Sequence, residues 1–161
     1  MFSTTRLILF ALIVGIGCQS ALAQDARTEP NDIERRAFEQ TNLVRIKNGL
    51  PPFVWDGELA SLSRNYSENM SRLRFFSHTS PDGKRLPDRA RAAGIVRYST
   101  LGENIAYNQG YEDPGALAVA RWMESPKHRA NILSSEFRAM AIGSYVAADG
   151  SVYLTQTFIK R

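Results

Sequence analysis

Leu59, Leu62, Tyr66, Met70 and Leu73 recur at intervals of 3, 4, 4 and 3 residues. That rhythm puts them on one side of a helix, which is predicted to start at an Asp56 N-cap and run to about Phe75. The stripe itself reads as core packing. A second stripe, Ile33, Ala37, Thr41 and Val44, is spaced 4, 4 and 3 and predicts an earlier helix from an Asp32 N-cap to about Asn48. Gly49 ends that helix, and Pro51-Pro52 prevents its continuation. Ser80-Pro81-Asp82-Gly83 predicts a turn, followed by a short helix to Ala93 that stops at Gly94. Asp113-Pro114 supplies an N-cap and a first helical residue for a helix to about Glu124, with Val119, Trp122 and Met123 facing inward. One more short helix covers about Pro126 to Leu133.

The period then changes. Ala139 to Val146 and Val152 to Ile159 read as strands, and Asp149-Gly150 between them is a hairpin signal. A further strand fits near Leu101–Ala106. Val152, Leu154 and Phe158 share a strand face with Gln156. An unpaired buried amide costs about 1–3 kcal/mol, so Gln156 is either a satisfied core amide or the floor of a pocket. Helices followed by a terminal hairpin predict an α+β fold with a sheet packed against helices.

The chain opens differently. Arg6 precedes an apolar run of 11 residues, Leu7 to Gly17, and Ala21-Leu22-Ala23 follows. The run falls short of the ~20 residues that span a bilayer. It predicts a secretory signal over 1–23, cleavage near Ala23 and a mature chain, secreted or periplasmic, that begins at Gln24 and carries no transmembrane helix. Cleavage before Cys18, as in a lipoprotein, is the less favoured alternative, because Gly15 stands where such sites take Leu. Polar residues 24–31 then form a lead-in, and 32–161 form the folded domain.

Composition narrows the chemistry. A length of 161 residues suits a single domain. The one cysteine, Cys18, leaves with the signal, which excludes a disulfide framework and a Cys-rich zinc module. The net charge of +4 is mild. Arg72, Arg74, Lys84, Arg85, Arg89, Arg91 and Arg97 cluster, interrupted by Asp82 and Asp88. The cluster reads first as a solvated face and second as a surface for anionic wall polymers or lipid headgroups. Aromatic interleaving for nucleic acid is absent.

Two histidines exist, His78 and His128, and Glu103 is set in the mostly apolar segment Gly102–Ala106. Several ordered blocks surround them. These are Asn42-Leu43-Val44-Arg45, Gly49-Leu50-Pro51-Pro52, Trp55-Asp56, Phe76-Ser77-His78 and Gly102-Glu103-Asn104-Ile105-Ala106. Trp122-Met123, His128-Arg129-Ala130-Asn131-Ile132-Leu133 and Tyr153-Leu154-Thr155-Gln156-Thr157-Phe158 follow. Together they resemble the CAP superfamily, also called the SCP-like extracellular domain, in its bacterial secreted branch. The likeness runs from about Ile33 to Phe158.

The resemblance implies a three-layer α-β-α sandwich with a central, largely antiparallel sheet. It also implies a cleft lined by two histidines and two acids, and His78, Glu103 and His128 stand at three of those four positions. At the fourth the family pattern falls on Ser125, while Glu124 is one residue early, a rotation of about 100° on a helix. Two imidazoles and a carboxylate suit a divalent metal, zinc or similar, with open coordination positions. The alternative is a metal-free cluster in which Glu103 orients the histidines. A Ser-His-Glu arrangement can be drawn from Ser77 or Ser125, but no Gly-x-Ser-x-Gly or His-Glu-x-x-His sequence is present. The expected function is a secreted binding module for a metal, lipid, small molecule or envelope component. The rival is an extracytoplasmic metal-dependent hydrolase.

Overall fold

The computed structural model describes residues 29–161. The predicted signal at 1–23, its cleavage site, Cys18 and most of the 24–31 lead-in lie outside the described residues. Among the described residues five helices and four strands follow in the order α1 (Asp32–Lys47), β1 (Val54–Trp55), α2 (Gly57–Arg72), α3 (Leu86–Ala92), β2 (Thr100–Gln109), α4 (Pro114–Glu124), α5 (Pro126–Ile132), β3 (Ala139–Val146) and β4 (Ser151–Lys160). The strands form one sheet in the order β1-β3-β4-β2. β4 pairs antiparallel with both β2 and β3, whereas β1 pairs parallel with β3. The sheet is therefore largely antiparallel with one short parallel edge. β1 has only two residues, too few for an alternation signal, which is why the pattern of the chain did not announce it.

Alternation along the central strands separates two cores. Met140 and Ile142 of β3, with Leu154 and Phe158 of β4, pack beneath α1, α4 and α5 through Ala37, Val119, Trp122 and Ile132. Ala141 and Ile159 point the other way, against Leu59 and Leu62 of α2 and Leu86 and Ala90 of α3. Helices thus cover both faces, giving the α-β-α sandwich. α2 approaches its face closely. A Cβ on Gly143 of β3 would lie 2.0 Å from the backbone nitrogen of Arg64. Small hydroxyls fill the same contact: Ser67 Oγ donates to the Gly143 carbonyl at 2.8 Å, and Ser63 Oγ meets Thr157 Oγ1 at 2.8 Å.

Element ends show local chemistry. Asn31, not Asp32, caps α1, because its side chain accepts from the Glu34 N–H while the Glu34 carboxylate accepts from the Asn31 N–H. The buried seam of α1 is Glu34, Ala37, Thr41 and Arg45, with Ile33 and Val44 only half-buried. Both charges on that seam have partners. Glu34 pairs with Arg64 and accepts from the Ser144 N–H at 2.9 Å. Arg45 donates to the carbonyls of Pro51, Ile132 and Ser134 at 2.7–2.8 Å.

α2 stops at Arg72, three residues before the predicted end at Phe75. Leu73, the fifth member of the stripe, becomes the C-cap and is 60% exposed. Arg74 then adopts a left-handed conformation with φ of 54°, and the Phe75 N–H closes the helix on the Met70 carbonyl at 3.0 Å. Glycine usually occupies such a position.

Candidate functional site

β2 is an edge strand, paired only with β4. Its Glu103 lies opposite Thr157 and has a side chain 5% exposed. The segment after α2 brings His78 to it, with Nδ1 2.9 Å from Glu103 Oε1. The second carboxylate oxygen, Oε2, accepts from Nη2 of Arg89 on α3. The Arg89 side chain is 9% exposed, and its guanidinium lies 3.4 Å over the Tyr66 ring. Its Nη1 also donates to the His78 carbonyl at 3.0 Å, and Tyr66 Oη donates to the Ser77 carbonyl at 2.7 Å. One buried cation therefore holds both the acid and the backbone that carries His78.

His128 arrives from the other side, on α5. Its ring centroid is 6.3 Å from that of His78, with 50° between the planes. Its backbone is positioned by amides: Asn104 Nδ2 donates to the His128 carbonyl at 3.2 Å, and Asn131 Nδ2 donates to Asn104 Oδ1 at 2.8 Å. Burial, and then the neighbouring His78, hold the His128 imidazole below its ordinary pKa. The network continues inward, because Asn104 Nδ2 donates to Gln156 Oε1 at 2.9 Å and Gln156 Nε2 donates to Thr41 Oγ1 at 3.0 Å. Gln156 is fully buried. Of its two readings the structure assigns the satisfied core amide.

Two hollows meet at His128. The polar one, about 470 Å³, also contains His78, Glu103, Arg85, Lys127 and Asn131. The other, about 650 Å³, is walled largely by aromatic rings and includes Ser125. Glu124 lies in neither; it borders a separate depression with Met123 and Pro126. The phase of α4 explains this. Trp122 faces the core, and Glu124 lies two residues, about 200°, around the helix. α4 ends there, since Ser125 is extended and serves as both the C-cap of α4 and the N-cap of α5.

The donor set for a metal differs from a simple three-ligand site. Both Glu103 oxygens are engaged by His78 and Arg89. Among the described residues no group of three or more His, Cys, Asp or Glu is arranged to hold an ion. Two imidazoles remain, and the hydrogen bond from His78 Nδ1 to a carboxylate is the arrangement that orients a metal-ligating histidine and leaves its Nε2 free. Among the described residues neither Ser77 nor Ser125 hydrogen-bonds a histidine ring: Ser77 Oγ accepts from the Thr79 N–H at 3.1 Å, and Ser125 caps α5 through its backbone.

Arg89, Asn104 and Asn131 were not singled out by the sequence reading. Arg89 was counted in a solvated basic face, although it follows the buried Leu86 by three residues on one short helix. Asn104 and Asn131 lie inside the ordered blocks around Glu103 and His128, which was the only signal available.

The chain is similar to several known proteins. Bacillus subtilis (strain 168) has an uncharacterized membrane protein, YlbC, that is 38% identical over 128 residues, 80% of this chain and 34% of that protein. An uncharacterized protein of the same organism, YkwD, is 39% identical over 126 residues, 78% of this chain and 46% of that protein. The chain therefore spans less than half the length of these relatives. The crystal structure of an extracellular protein containing an SCP domain from Bacillus anthracis str. Ames matches with a TM-score of 0.69 and 31% identity, covering 80% of this chain and 40% of that one. Residues 38–158 match the family described as the cysteine-rich secretory protein family, CAP. This chain, whose only cysteine is Cys18, belongs to the CAP family.

Proposed function

We propose that this protein is an exported binding module whose polar cleft takes an anionic component of the cell envelope. The observation that carries the reading is the internal neutralisation of Glu103. Its two oxygens are engaged by Arg89 and His78, so the charges left on the ligand side are Arg85 and Lys127 beside the two imidazoles. A cleft lined by one sign of charge concentrates ligands of the other. Export is supported by the Arg6, Leu7–Gly17 and Ala21-Leu22-Ala23 pattern and by the extracellular relative from Bacillus anthracis. Among the described residues no helix is long and apolar enough to cross a membrane.

The same donor set fits a divalent ion such as zinc, held by the His78 and His128 rings with Glu103 behind His78. Such an ion would supply Lewis acidity toward a ligand oxygen. In that case Glu103 orients a ligand to the ion rather than serving as one.

Calorimetric titration separates the readings. With tripolyphosphate and poly-glutamate as probes, the Arg85→Ala/Lys127→Ala variant is expected to bind at least tenfold more weakly than the native protein. Equal binding by both overturns the cleft assignment. Zinc alone should lose its binding heat in His78→Ala/His128→Ala if the imidazoles hold it. Turnover of a phosphoester or carboxylester panel that needs both histidines would replace the binding reading with the hydrolase.

A further inference from the structure

The larger hollow on the other side of His128 lies outside the reading just given, and its chemistry is different. Its walls are the rings of Phe75, Phe76, Tyr107 and Tyr153, over a floor formed by Trp122, Ile105 and Ala106. The rings form an edge-to-face series, with Phe76 and Tyr107 centroids 6.5 Å apart and Tyr107 and Tyr153 5.1 Å apart. Trp122 is fixed beneath them, since its Nε1 donates to the Ile105 carbonyl at 2.9 Å. Phe76 and Tyr107 are nonetheless 52% and 40% exposed. Rings left open together around a concave surface mark a binding surface. The volume, about 650 Å³, falls within the ~300–1,000 Å³ typical of small-molecule sites.

Two arginines border this hollow, Arg74 and Arg121. Arg121 is braced by neutral groups, donating to the Tyr107 carbonyl at 3.3 Å, to Asn108 Oδ1 at 3.1 Å and to Tyr111 Oη at 3.3 Å. Among the described residues neither arginine is in a salt bridge. Arg74 carries a second, independent signal. It stands at the left-handed position that ends α2, with φ of 54°, where a side chain strains the backbone and glycine is favoured. The turn closes α2, with the Phe75 N–H on the Met70 carbonyl, but the Arg74 side chain itself makes no hydrogen bond among the described residues. A cationic side chain kept at that position, on the edge of a cavity and without a partner among the described residues, is open to a ligand.

We propose that this hollow is a second binding site, for a compact ring-bearing carboxylate, with the ring against the aromatic wall and the carboxylate on Arg74 and Arg121. A ligand ring in offset or edge-to-face contact with these rings gains stabilisation beyond the area it buries, which a linear alkyl chain does not. Guanidinium groups match the carboxylate fork. The same chemistry occurs in a free aromatic acid and in a peptide that ends in an aromatic residue.

The test uses fluorescence of Trp122 in a Trp55→Phe background, supported by calorimetry. The probes are 4-phenylbutyrate, its neutral amide, octanoate, and the tripeptide Gly-Gly-Phe with a free or amidated C-terminus. The proposal expects saturable binding of 4-phenylbutyrate, at least fivefold weaker binding of its amide and of octanoate, and a preference for the free peptide terminus if the source is a peptide. Arg74→Gly relieves the backbone, so its Tm should equal or exceed the native value while its affinity falls at least fivefold. Arg74→Lys should keep more of the affinity than Arg74→Asn. Equal binding of acid and amide, octanoate binding as tightly as the phenyl acid, unchanged affinity in Arg74→Gly, or no saturable binding up to roughly 10 mM overturns it. Arg85→Ala/Lys127→Ala should leave this site unaffected, which keeps its failure distinct from that of the polar cleft.

Discussion

The two hollows on either side of His128 are built along the same strand yet hold opposite kinds of surface. Leu101, Gly102 and Glu103 of β2 line the polar cleft, and Ile105, Ala106 and Tyr107 line the aromatic one. Moving a few residues along one edge strand changes the chemistry because different segments cover it. α3 contributes a buried arginine over Glu103, while the end of α2 contributes Phe75 and Phe76 over Ile105–Tyr107. The polar cleft is held by an internal charge pair and a chain of amides. The aromatic hollow is held by rings and by a fixed indole. An edge strand, open along one side, lets a single scaffold support both.

The largest expected effect separates them at the charge pair. Glu103→Ala leaves the Arg89 guanidinium buried and uncompensated. Removing one partner of a buried pair costs about 3–5 kcal/mol, on the order of 10 °C in Tm for a domain of this size. Thermal denaturation followed by circular dichroism measures it. The double substitution Glu103→Leu/Arg89→Met should recover most of the loss, and a double variant as unstable as the single one would show that Arg89 is not the reason.

A smaller effect belongs to the aromatic side. Asp113 caps α4, the helix that supplies Trp122 and Arg121. Its carboxylate accepts from the Ala116 N–H at 2.8 Å and from Arg36 Nε at 2.8 Å. Burial pushes its pKa up, but these hydrogen bonds and the Arg36 charge outweigh burial and hold it below the usual range. The stability it contributes is therefore present above the unfolded aspartate pKa of about 3.9 and is lost as pH falls through its lower folded value. Asp113→Ala should cost about 0.5–2 kcal/mol at pH 7. The gap between native and variant should shrink toward pH 2 in urea titrations. A gap that does not narrow would mean the cap does not act through its charge.

The smallest effect tests the boundary between the hollows and the surface. Glu124→Gln should change stability by less than about 0.5 kcal/mol and leave ligand binding in both hollows unaltered. A binding defect measured by the same titrations would return Glu124 to the cleft.

Much of the scaffold was legible from local pattern. α4 begins at Pro114 as its Asp113 cap predicts and ends at the expected Glu124, and β3 runs over the predicted Ala139–Val146. The α2 stripe is correct through Met70, but Leu73 is exposed because the chain leaves the helix at Arg74. Apolar spacing alone does not register a left-handed residue. α1 failed in a different way. Its seam holds Glu34 and Arg45, charges that look solvent-facing until Arg64 reaches Glu34, and the carbonyls of nearby Pro51 and of remote Ile132 and Ser134 reach Arg45. Arg89 was misjudged for the same reason.

Most helices and strands depend on neighbours within a turn or a hairpin, so capping side chains, apolar rhythm and the Asp149-Gly150 turn announce them, whereas the Asn31 cap of α1, the end of α2 and the two-residue β1 went unannounced. The partners of a charge depend on which segments the packed sheet and helices bring together. His78 and Glu103 are 25 residues apart, and Asn104 and Gln156 are 52 apart. Only the folded chain decided that Glu103 faces Arg89, that Gln156 closes an amide chain in the core, and that His128 divides two cavities. Those contacts exist through burial and distance in three dimensions, which no spacing along the sequence encodes.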